Sequence, residues 1–254
     1  MKADDEELRA ALDAVRAKSA RDTDLEARRA SDPVGVVHRY EDPLDRELVG
    51  LVAAAIAFGN VKTILLKLGD LLDRVGPSPS RAADDPAALK ARLRGWKHRV
   101  FVGDDLARLL IGARSVQRAH GTLGQYFAAQ LDAHRGGARS SDAIRGALAA
   151  LRDAIRAAGN LRSRTRRGPS HLLPDPLGSS GVKRLLLYLR WMVRPADGID
   201  LGLWPVDPAR LLMPVDTHIH KLSRNLGLTG EERLSWRATE IGRASCRERV
   251  SKQV

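Results

Sequence analysis

Apolar residues recur at three- and four-residue spacing along most of the chain. Between 104 and 119, Leu106, Leu109, Leu110, Ala113 and Val116 form one stripe, and between 142 and 158, Ile144, Leu148, Leu151 and Ile155 form another. Each spacing predicts an amphipathic helix with one face on the core. Residues 45–58, DRELVGLVAAAIAF, begin polar, become apolar on every side and stop at Gly59-Asn60, which predicts a central buried helix. Helical spacing resumes over 61–75 with Ile64, Leu65, Leu68, Leu71 and Leu72, and ends at GPSPS. Strand-like alternation is hard to find and aromatic residues make up 4% of the chain, so an all-α fold is expected.

Two later segments combine helical patterning with chemistry. LGSSGVKRLLLYLRWMVRP, 177–195, opens with a Gly/Ser turn and continues as a strongly apolar helix whose first turn holds Lys183 and Arg184. Amide groups at such a helix start can hold a phosphate, and an amine placed there has its charged form disfavoured by the dipole and by burial. Lys183 is therefore either a candidate amine nucleophile or a cation that hydrates the end of a buried helix. Arg190, seven residues on, shares its face. MPVDTHIHKLSRNLGLT, 213–229, predicts a helix over 217–226, capped by Asp216 and closed by Gly227. His218 and His220 are two apart on that helix and so point in different directions, which is poor geometry for a shared metal. Asp216 reads either as a plain helix cap or as a reactive carboxylate.

Charge narrows the partners. The formal net charge is +12, from 43 basic and 31 acidic residues, and arginine dominates the basic set. Guanidinium forks match phosphate oxygens, although a GC-rich genome enriches arginine without any such function. A linker at 136–141 precedes a longer loop at 160–180, where Arg162, Arg164, Arg166 and Arg167 form a basic cluster just ahead of the Lys183 helix. The single cysteine, Cys246, excludes an internal disulfide and a cysteine-rich metal cluster. No apolar run is long enough to span a bilayer, and the acidic, amphipathic start MKADDEELRAALDAVRAK lacks the apolar block of a signal peptide. A cytoplasmic monomer without a membrane partner or cofactor is expected.

PVDTHIHKLSRNLGL resembles the segment that carries the catalytic aspartate in helix-hairpin-helix DNA glycosylases of the endonuclease III type. Those enzymes place a lysine at the start of an upstream helix, where Lys183 stands. The stretches DPLDRELVGLVAAAIAFGNV, GPSPS, SHLLPDPLGSSGVKRLLLYLRWMVRPADGIDLGLW and MPVDTHIHKLSRNLGLT together resemble the bacterial family called domain of unknown function 2400. The long stretch between Lys183 and Asp216 is similar to the spacing in archaeal 8-oxoguanine glycosylases. The turn at 177–184 keeps only Gly178 and Gly181 of the glycosylase hairpin.

The resemblance implies two helical lobes with a cleft between them: residues 1–30 as a helix of the second lobe, 31–200 as the central bundle, and 201–239 as the start of a truncated C-terminal lobe. EIGRASCRERV, 240–250, is similar to translated sequencing adapter, so 240–254 is expected to be a non-native tail. The implied partner is duplex DNA, damaged or intact. Lys183 and Asp216 are the implied catalytic pair, and Asn60 is implied to fill the gap left by a flipped base. Arg162, Arg164, Arg166, Arg167, Gly178, Gly181, Arg184, Arg190 and His220 complete the expected DNA contacts. A non-catalytic DNA- or RNA-binding protein and a metal-dependent hydrolase built on DTHIH remain as alternatives.

Overall fold

The computed structural model describes residues 5–21, 24–136, 140–163 and 165–239. Among these, nearly all regular structure is helical. The chain opens with α1 (Asp5–Arg21) and α2 (Leu25–Ala30), passes through a 3-10 turn at Pro33–Arg39, and enters the buried helix α3 (Pro43–Ile56). Asp42 caps α3, Pro43 stands at its first position, and the apolar run ends where Ala57 leaves the helical conformation. Next come α4 (Val61–Val75), closed by Gly76 at φ 96°, and the short helices α5 (Pro79–Ala83) and α6 (Pro86–Arg92). The two stripes read from the sequence form α7 (Gly103–His120) and α9 (Ser140–Ala158), with α8 (Leu123–Ala133) between them; α10 (Gly168–Leu172), α11 (Lys183–Val193) and α12 (Thr217–Asn225) follow. The all-α expectation holds. The only strands among the described residues are β1 (Lys97–His98) and β2 (Phe101–Val102), a hairpin too short for any alternation to announce.

Helix α3 is the axis of the core, in contact with α7 and α11. Leu48, Val49, Leu51, Val52 and Ile56 are buried in one cluster with Leu106, Leu109, Leu186, Leu189 and Met192. Apolar burial on this scale supplies the main driving force for folding. At Gly50 the helix face is flat, so that Tyr188 and Met192 of α11 close over it.

Buried carboxylates tie this core together. Glu47 on α3 accepts from the Leu123 and Gly124 amides at the start of α8, from Gln117 Nε2 and from Trp204 Nε1, at 2.8 to 2.9 Å. Asp45 accepts from the Ser80 amide at 2.7 Å, in the first turn of α5. A negative group at a helix start satisfies amides that lack intrahelical partners and complements the dipole.

Candidate functional site

The two residues expected from sequence to form a pair come together at the start of two helices. Lys183 is the first residue of α11 and Asp216 is the N-cap of α12. Asp216 Oδ1 accepts the Ile219 amide at 2.8 Å, which is the cap, and its Oδ2 accepts from Lys183 Nζ at 2.9 Å. One carboxylate therefore orients the helix and holds the amine. Partial burial pushes the Asp216 carboxyl upward, but the Ile219 amide, the Lys183 ammonium and the His218 amide outweigh it and leave its pKa below the ordinary aspartate value. The side chains of Lys183 and Asp216 are 41% and 31% exposed, within reach of a ligand from solvent. An ion pair so exposed is worth only about 0–1 kcal/mol of stability.

The turn ahead of Lys183 is held from outside and strained within. Arg145 of α9 donates from Nε to the Pro176 carbonyl at 2.7 Å and from Nη2 to the Leu177 and Gly178 carbonyls at 3.1 and 2.8 Å, while its guanidinium lies over the Trp236 ring. Gly181 packs against the Ser235 backbone with little room for a side chain. Val182, a β-branched residue, sits in the left-handed region at φ 37° and ψ 39°. Such a conformation costs on the order of 1–3 kcal/mol and persists only where the surroundings enforce it. Here it falls on the residue that aims Lys183.

Several of the remaining expected contacts are engaged within the fold. Arg184 is largely buried, and its guanidinium donates to the Ala55 carbonyl near the end of α3 and the His171 carbonyl of α10; burial lowers its pKa to about 10. It neutralises two helix C-termini rather than facing solvent. Arg166 forms a bidentate pair with the buried Asp105 at 2.7 Å on both arms. Arg190 lies 3.3 Å from Asp200, which Arg194 also meets at 3.2 Å, so its charge is already paired. Asn60 caps α4 by accepting the Thr63 amide at 3.3 Å. Gly178 donates its amide to the Asp175 carbonyl at 3.2 Å. Arg162 and Arg167 are exposed, and Arg164 lies outside the described residues, as does the expected tail, 240–254. His220 is buried with Nε2 at 3.0 Å from the Glu231 carbonyl, whereas His218 is exposed. Among the described residues no three His, Cys, Asp or Glu side chains converge as a metal site would require.

A family model described as a protein of unknown function (DUF2400) matches residues 32–247. The chain belongs to DUF2400. The match spans the Lys183 and Asp216 segments and continues past Thr239. No curated protein and no solved structure matches. Among the described residues no helix of this DUF2400 chain is long and apolar enough to cross a membrane.

Sequence reasoning missed Arg145, Glu47 and Asp105. Each is an ordinary charged residue on a helix until its distant partners are known. Glu47 alone carried a signal, because it stands at the head of an otherwise apolar run.

Proposed function

We propose that this DUF2400 chain is a DNA glycosylase and lyase that removes a damaged base through a Schiff base on Lys183. The reading rests on one observation, the 2.9 Å pairing of Lys183 Nζ with Asp216 Oδ2 at the mouths of two helices. It is strengthened by the resemblance of both segments to lysine-dependent glycosylases. The target nucleotide leaves the stack, since its sugar is otherwise out of reach. Lys183 passes a proton to solvent, while Asp216, whose lowered pKa keeps it ionised, holds the amine in place. The freed electron pair attacks C1′, and the bond from C1′ to the base breaks with its electrons going to the base. The C1′–O4′ bond then opens with its electrons going to O4′, which takes up the second amine proton, and the nitrogen lone pair completes the iminium. Asp216 also faces the positive charge that builds on the sugar.

Borohydride reduction of the iminium should leave protein covalently joined to a damaged duplex, and a panel of lesions would identify the base. Lys183→Gln should abolish this product. Asp216→Asn should slow the chemistry at least about tenfold with binding little changed, as for a group acting in the transition state. Trapping that persists in Lys183→Gln removes the assignment. A reading without chemistry, in which the chain only binds DNA or RNA, is favoured by the structural employment of Asp216 as a helix cap; it requires binding with no trapped product from any lesion.

A further inference from the structure

A second basic stretch, KARLRGWKHR at 90–99, joins the end of α6 to the β1–β2 hairpin. Two of its cations are occupied. Arg92 Nη1 donates to the Val75 carbonyl at 3.1 Å; Arg99 Nη1 donates to the Phe58 carbonyl at 3.2 Å and lies 4.4 Å from the Phe58 ring centre. Lys90, Arg94 and Lys97 are exposed, and no carboxylate among the described residues pairs with them. These three rim an open groove of about 580 Å³ with apolar walls that include Ala87, Ala91 and Trp96. The acid that lines it, Asp104, is turned onto Arg108 at 2.7 Å.

Cations around an apolar trough match a polymer that alternates charge with apolar surface. A sugar–phosphate backbone has that character, with each phosphate flanked by deoxyribose faces, whereas a free anion would leave the walls unused. A relay of contacts also links the hairpin to the Lys183 helix. Arg99, on the same hairpin, covers Phe58, which is 45% exposed and sits 6.4 Å from the His171 ring. The His171 carbonyl in turn meets Arg184, the neighbour of Lys183. We propose that the groove rimmed by Lys90, Arg94 and Lys97 is a second nucleic-acid contact, which holds the backbone of a duplex outside the Lys183–Asp216 site. This rests on the DNA reading above but not on its chemistry.

The test is the salt dependence of duplex affinity. Each phosphate contact contributes about 0.9 to the slope of log affinity against log salt. Combining Lys90→Gln, Arg94→Gln and Lys97→Gln should lower that slope by about 2–3. All three side chains are exposed, so the melting temperature should stay at the wild-type value. Arg118→Gln, about 22 Å along α7 from the groove by helical rise, should leave the slope alone. An unchanged slope in the triple variant overturns the groove and leaves the Lys183 assignment standing. A reduced slope in a protein that cannot be trapped by borohydride does the reverse. If orthophosphate at millimolar concentration, or vesicles containing phosphatidylserine, bind through these three residues while the DNA slope is unaffected, the occupant is not a nucleic acid and the proposal falls.

Discussion

Glu47 shows how much one side chain can carry. Its Oε1 accepts from Gly124 and Trp204, and its Oε2 from Gln117 and Leu123. Burial raises its pKa even though these four donors act the other way. Glu47→Gln keeps the shape, yet turns one acceptor oxygen into a donor and leaves two buried N–H groups facing it. At about 1–3 kcal/mol for each orphaned donor, the loss should reach at least 2 kcal/mol. Thermal unfolding should then begin about 4 °C lower or more, and an unchanged Tm would mean that the carboxylate is dispensable. The apolar run around Glu47 was legible in the sequence; its partners, 70 to 157 residues away, were not. The same gap explains the arginines. Composition cannot distinguish Arg166, clamped on Asp105, from Arg162 and Arg167 in the open.

Helix–helix contacts depend on where side chains are missing. Helices α7 and α9 cross so closely that a Cβ at Gly112 would overlap the Ile155 carbonyl, and one at Gly159, just beyond α9, the Arg108 carbonyl. Backbone cannot move aside as a side chain can. Gly112→Ala should therefore destabilise by about 1–3 kcal/mol through overpacking. Gly50→Ala meets only the flexible end of Met192 and one edge of Tyr188, and should cost less than about 1.5 kcal/mol. Chemical denaturation of the two variants side by side measures the difference, and equal losses would refute the account. Helical elements were the most readable part of the chain. Residues 61–75 and the Asp216 cap follow directly from periodicity and cap chemistry, as α4 and α12 show. The hairpin at 97–102 was invisible because two-residue strands carry no period, and so the groove beside it was invisible too.

At the scale of the molecule the net charge of +12 acts as a field rather than a set of contacts. Duplex DNA affinity should fall by about 10³-fold or more between 50 and 200 mM salt, as displaced counterions return. A flat response, read by fluorescence anisotropy, would remove DNA as the partner. Arg162→Gln with Arg167→Gln should weaken binding without altering sequence preference, since phosphate contacts position rather than specify. Arg166 is unsuitable for that experiment, because its removal strands the buried charge of Asp105 at a cost of about 3–5 kcal/mol. The candidate pair was legible only through resemblance. Nothing in the spacing of Lys183 and Asp216, 33 residues apart, requires them to touch, and their contact depends on how the chain between them returns over α11.

The ties of Glu47 also set a timetable for synthesis. Its most distant donor, Trp204, lies 157 residues further along. At ribosomal speeds of about 5–20 residues per second, the carboxylate waits roughly 8–30 s for its last partner. Through that interval the buried helix α3 has been made before α11 exists to cover it, so its apolar face stays open in the nascent chain until the last third of synthesis.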